Sequence, residues 1–153
     1  MPKLKMVVAC ERVLVDITGP VSIISIFQRM NIQLQAAPLP PQAVSTSRWH
    51  VFSLWENDPK EVGQQFTQIL RVFAPDGTLF VEQELSFQNN DVNDFQTKIN
   101  IMLASLPIWA EGDMFVRVWL KGNEEPAGEF RFAIVYVRQE LNAETTNIAA
   151  ESK

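Results

Sequence analysis

The alternation of apolar and polar residues from Met114 to Lys121, echoed from Glu129 to Val137, constrains this chain more than any other feature. Met114, Val116, Val118 and Leu120 share one parity, and Phe115, Arg117, Trp119 and Lys121 share the other. A period of two belongs to an extended strand, whose successive side chains point to opposite faces. Glu111-Gly112-Asp113 precedes the first run and Gly122-Asn123 follows it, and both are turn sequences. The two runs therefore read as paired antiparallel strands with one apolar face. Such a face must be covered by a second layer, so a sheet packed on a sheet is expected.

The upstream sequence extends this reading. Residues 4–16 are rich in Val and Leu and predict a first strand, in which Glu11 and Arg12 imply a bulge or an exposed edge. Thr18-Gly19-Pro20 is a turn. Residues 21–34 admit two readings. Ile24, Ile26, Met30, Ile32 and Leu34 share a strand parity, while Ile23, Phe27, Met30 and Leu34 fit a helical stripe. The branched side chains of Ile23, Ile24 and Ile26 favour the strand. Three prolines make residues 36–47 an extended loop, and residues 48–56 predict a strand carrying Trp49, Phe52 and Trp55.

Residues 60–73 are the second ambiguous segment. Val62, Phe66, Ile69, Leu70 and Phe73 fit a helix, and Asp58, Pro59 and Glu61 would start one. Yet Ala74-Pro75-Asp76-Gly77 is a tight turn leading into the alternating run 78–87, and such a turn joins paired strands. A strand over residues 66–73 is therefore preferred. Residues 89–93 form a polar loop, and residues 95–106 predict a strand with Ile99, Ile101 and Leu103 on one face. The expectation is an all-β, antiparallel sandwich of about eight strands, immunoglobulin-like or C2-like, with at most one short helix. It occupies residues 1–141 as one domain, followed by a mobile tail over residues 142–153, which lacks aromatics and alternation.

The segment Cys10-Glu11-Arg12-Val13-Leu14-Val15-Asp16, followed by Gly19-Pro20-Val21-Ser22-Ile23-Ile24-Ser25-Ile26-Phe27, resembles the opening of a family of uncharacterised small bacterial proteins. Leu106-Pro107-Ile108 and Glu111-Gly112 resemble the late strands of the same family. The resemblance spans residues 4–138 and implies a bacterial β-sandwich. It brings no functional residue with it.

Composition narrows the function classes. The net charge is −5 and the pI about 4.9. Duplex nucleic acid and anionic membrane surfaces both call for a basic footprint, so neither is an expected partner. A single cysteine, Cys10, rules out an intrachain disulfide and fits a reducing compartment. No signal peptide is read at the N-terminus, and no apolar run is long enough to span a bilayer. A cytoplasmic location is expected.

No residue pattern announces a chemistry. One His and one Cys, 40 positions apart, do not make a transition-metal site. Asp91, Asn93 and Asp94 offer hard oxygens, but their loop lacks the glycine and distal glutamate of a calcium-binding loop, so a solvated loop is expected. His50 reads as an ordinary strand residue, and Cys10 as a small buried hydrophobe. Glu82 and Glu84 share a strand face at acid–base spacing, but their outward parity predicts solvation. No glycine-rich phosphate loop occurs. Neither a cofactor nor a metal is expected, and the chain is read as non-enzymatic.

One surface stands out. If Met114, Val116, Val118 and Leu120 point inward, then Phe115, Arg117, Trp119 and Lys121 face outward, on a strand expected near a sheet edge. Aromatics interleaved with cations suit a protein interface. The competing reading is that another segment of the chain covers Phe115 and Trp119. The expected function is a cytoplasmic binding or assembly module that recognises a protein partner or itself. The alternative is a carbohydrate-binding sandwich using tryptophans among Trp49, Trp55, Trp109 and Trp119.

Overall fold

The computed structural model describes residues 1–34 and 39–138. Among these residues the chain forms eleven strands and one short 3-10 turn. The strands are β1 (Lys3–Val15), β2 (Val21–Ile26), β3 (Arg29–Leu34), β4 (Val44–Ser45), β5 (Trp49–Glu56), β6 (Gln65–Phe73), β7 (Leu79–Gln88), β8 (Gln96–Leu103), β9 (Leu106–Pro107), β10 (Gly112–Leu120) and β11 (Gly128–Arg138). A four-stranded sheet has the order β2-β1-β5-β8, and a five-stranded sheet has the order β3-β11-β10-β6-β7. The two-residue strands β4 and β9 form a small separate pair. The expected tail over residues 142–153 lies outside the described residues.

The fold is all-β, as the alternation predicts. Met114, Val116, Val118 and Leu120 are all buried, and they meet Trp49, Val51 and Trp55 from β5 across the interface between the sheets. Ile99, Ile101 and Leu103 line the same core from β8. Residues 65–73 form a strand paired with β7, and Gly77 in the connecting turn has a φ of 86°. The helix-start signals are also used, but only for the three-residue 3-10 turn Pro59–Glu61, whose cap Asp58 accepts from the Lys60 amide.

Three expectations are corrected. Residues 21–34 are not one strand. The run breaks at Phe27 and Gln28, so β2 belongs to the four-stranded sheet and β3 to the five-stranded one. Phe27 is the pin of this crossing: its ring packs against Trp49 at 6.1 Å and Phe132 at 5.3 Å. The crossing also explains the misleading parity. Ile24 and Ile26 are exposed, whereas Met30 and Ile32 pack on the core. Second, the sandwich is not wholly antiparallel, because β3 runs parallel to β11. Third, residues 95–106 split into β8 and β9, and Ser105 between them accepts a hydrogen bond from Trp49 Nε1 at 2.8 Å.

β1 has two successive partners. It pairs with β5 from Lys3 to Cys10 and with β2 from Cys10 to Val15, and Cys10 alone belongs to both ladders. The register irregularity in β1 falls between Leu4 and Met6 rather than at Glu11 and Arg12, which are exposed, in line with the second of the two readings. Beyond Cys10 the β1–β2 hairpin is thus a two-stranded arm. Its tip reaches back to the outer face of the four-stranded sheet, where Gly19 O accepts from Lys98 Nζ at 3.0 Å.

Candidate functional site

β10 is the middle strand of its sheet, not a strand near the edge. Its parity is as expected: Phe115, Arg117 and Trp119 are half-buried and Lys121 is exposed on the outer face. Neighbouring strands complete this face through their registers. Phe115 lies opposite Phe73, Arg117 opposite Arg71, and Trp119 opposite Ile69 on β6. On the other side Phe115 lies opposite Arg131 and Arg117 opposite Glu129 on β11.

The cations on this face are each held twice or tied to an acid. Arg71 lies 4.9 Å from the Trp119 ring centre and donates to Glu82 at 2.6 Å. Arg117 lies 5.2 Å from both the Phe73 and Phe115 rings and donates to Glu129 at 2.5 Å. Lys121 donates to Glu84 at 2.9 Å. Arg131 pairs with Asp113 at 3.5 Å. Trp119 Nε1 donates to the Glu124 carbonyl at 3.4 Å. The aromatics are therefore partly covered, by arginines and by the loop after β10, yet remain partly open. Stacked guanidiniums over ring faces are favourable, and each also fixes a neighbour's rotamer.

Other candidate residues are placed as follows. Glu82 and Glu84 lie on this outer face, and each is engaged by a different cation, so they do not form a carboxylate pair across a cleft. The loop holding Asp91, Asn93 and Asp94 satisfies its own backbone. Asp91 accepts from the Asn93 amide, and the Asp94 carbonyl accepts from both Asn57 and Asn89 side chains. Cys10 is fully buried, and burial pushes its thiol up from the ordinary value. His50 sits on the outer face of β5, where Nδ1 donates to Asn100 Oδ1 at 3.0 Å.

The tryptophans are divided. Trp49 and Trp55 are each 1% exposed and belong to the core. Trp109 stands beside the β6–β7 turn, donating to Asp76 and packing edge-on against Phe80. Trp119 lies toward the opposite end of β10 from that turn. No tryptophan platform is assembled from these four.

Sequence reasoning did not anticipate a groove between the hairpin arm and the outer face of the four-stranded sheet. It has a volume of about 430 Å³ and is lined by Glu11, Arg12, Val13, Leu14, Arg48, His50 and Met102. Three separate segments form it, and only the folding back of the arm brings them together.

No family model and no curated protein matches the chain. Among solved structures, it is similar to an alkylpurine DNA glycosylase of Pseudomonas fluorescens bound to DNA containing an abasic site analog. The identity is 12% and the TM-score 0.48, with 88% of this chain covered but only 30% of the glycosylase. An immunoglobulin-like protein of Pseudomonas aeruginosa gives 11% identity and a TM-score of 0.42, covering 88% of this chain and 96% of the other. A β-glucosidase of Listeria innocua in complex with glucose gives 10% identity and a TM-score of 0.45, covering 90% of this chain and 16% of the enzyme. These are distant likenesses, and the all-β architecture stands on the strand ladders themselves.

Proposed function

We propose that this chain is a non-enzymatic binding or assembly module that recognises a protein, working in a reducing compartment such as the cytoplasm. The observation that supports this reading is the construction of the β10 face. Phe115, Arg117 and Trp119 are fixed in place by Phe73, Arg71 and Glu129 before any partner arrives. Tryptophan and arginine contribute most per residue at protein interfaces, and pre-positioned side chains lose little further entropy on contact. The middle position of β10 gives a broad sheet surface suited to a flat partner. The face neutralises its own cations, and the chain is net acidic, so neither a nucleic acid nor an anionic membrane is the partner we favour. The one cysteine is buried and unpaired, which suits a reducing compartment.

The double substitution Trp119→Ala with Arg117→Glu tests this reading. The expected result is an unchanged circular dichroism spectrum and at least tenfold weaker capture of the partner that the wild-type chain retains in a pull-down. A folded variant with undiminished capture would sink the proposal. Retention of glycans on an array by the wild-type chain, lost in the variant, would transfer the face to carbohydrate.

A further inference from the structure

We propose that the groove between the β1–β2 arm and the four-stranded sheet binds a small organic anion, with Arg12 and Arg48 holding its carboxylate or phosphate oxygens. The groove is a different surface from the β10 face, so the two proposals fail separately.

The strand register places the two arginines. Cys10 on β1 lies opposite His50 on β5, and His50 lies opposite Met102 on β8. Residues directly opposite share a face, and so do residues two apart along a strand. Arg12 therefore follows Cys10 on that face, and Arg48 precedes His50 on it. Continued by two residues in each strand, the β1–β5 register would set Arg12 opposite Arg48. The ladder instead stops at Cys10, and β1 goes on with β2 alone. Like charges directly opposite destabilise strand pairing, which gives a physical reason for the parting. The groove opens where the strands part, and Arg12, Arg48, His50 and Met102 all line its volume of about 430 Å³.

The charges in the groove are not balanced from within. On the outer face of the other sheet, Arg71, Arg117 and Arg131 are each paired with a carboxylate. Arg12 and Arg48 take part in no ion pair among the described residues. Glu11 is the one acid lining the groove; it is paired with neither arginine and has the opposite parity to Arg12 on β1. Two guanidiniums against one carboxylate leave the groove positive in a chain of net charge −5.

This charge selects the ligand. An anion between Arg12 and Arg48 replaces one repulsion with two attractions. The planar guanidinium fork matches the oxygens of a carboxylate or a phosphate. His50 donates from Nδ1 to Asn100, which fixes the ring and leaves Nε2 without a partner among the described residues. Val13, Leu14 and Met102 add apolar wall beside these polar groups. The volume falls within the range of small-molecule sites. The fitting ligand is thus an organic acid or phosphate ester with a compact apolar body.

Proton NMR titration of the full chain tests this. His50 is the single histidine, so its imidazole C2 proton is a unique reporter inside the groove. Phenyl phosphate and benzoate are the probes and benzyl alcohol is the uncharged control, all at fixed pH and ionic strength. At least one of the two anions is expected to move the signal saturably, with a Kd on the order of 1 mM or tighter. The tighter of the two separates phosphate from carboxylate, and benzyl alcohol should leave the signal in place. Arg12→Gln and Arg48→Gln are each expected to keep the circular dichroism spectrum and to weaken binding at least tenfold. Trp119→Ala with Arg117→Glu should bind as the wild-type chain does. The proposal is overturned if neither anion saturates, if benzyl alcohol binds equally well, or if either folded arginine variant binds normally. If an arginine variant does not fold, nuclear Overhauser contacts in the wild-type chain decide. They should join the ring protons of the bound probe to the methyls of Leu14 and Met102, and their absence overturns the proposal.

Discussion

Gly77 shows how one residue selects an element. Its φ of 86° lies in the region where a Cβ meets the following carbonyl, so a branched residue there is strained. A Cβ at this position would meet no other atom within 4 Å, so crowding adds nothing to the strain. Gly77→Val is expected to destabilise the chain by about 1–2 kcal/mol, measured by urea unfolding. Gly77→Asn should cost clearly less, because asparagine tolerates the left-handed region. Equal losses for both variants would show that backbone strain is not the cause. Phe27 works at the same scale but through packing. It was legible as an apolar residue, yet its role depends on Trp49 and Phe132, which are distant in sequence.

At the level of elements, the β6–β7 hairpin is fixed by its turn. Ala74 N donates to Thr78 O, Gly77 N donates to Ala74 O, and the Asp76 carboxylate accepts from the Thr78 amide at 3.0 Å and Trp109 Nε1 at 2.9 Å. The Thr78 amide and then the Trp109 indole hold the Asp76 carboxyl below its usual value. A depressed folded value means that the stabilisation is present above the unfolded aspartate value of about 3.9 and is lost as pH falls through the lower folded value. Wild-type chain should therefore melt higher than Asp76→Asn at pH 6, and the gap should narrow as the pH falls below the ordinary aspartate range. A gap that stays constant with pH would show that the carboxylate charge plays no part. The β1–β2 arm differs from this hairpin. Past Cys10 no third strand lies beside it among the described residues, and a two-stranded ribbon relies on other contacts for stability.

Across the whole molecule, one polar side chain ties the two sheets together inside the core. Gln68, on β6, is 1% exposed, and its Oε1 accepts from Ser53 Oγ at 2.6 Å and Trp55 Nε1 at 2.7 Å, both on β5. Gln68→Leu keeps the volume but leaves two buried donors without an acceptor. The expected loss is about 1–3 kcal/mol, followed by thermal unfolding and by the emission of Trp55. A neutral result would mean that relief of the buried Gln68 Nε2, which has no partner among the described residues, offsets the lost bonds.

The sequence by itself determined what depends on neighbours along the chain. The period of two in β10 and β11, the tight turn at Ala74–Gly77 and the inward set Met114, Val116, Val118 and Leu120 are local patterns, and all were legible. The outward set Phe115, Arg117, Trp119 and Lys121 followed from the same parity. The tertiary structure decided whatever depends on which strands become neighbours. It broke residues 21–34 across two sheets, placed β3 parallel to β11, moved β10 from an edge to the middle, and sent Trp49 and Trp55 inward while Trp119 stayed half-open. It also set Arg71 on Trp119 and left β2 without a partner on one side among the described residues. Periodicity reports which face of a strand is apolar. It carries no information about strand order, because that order is set by the joint burial of all the apolar faces at once.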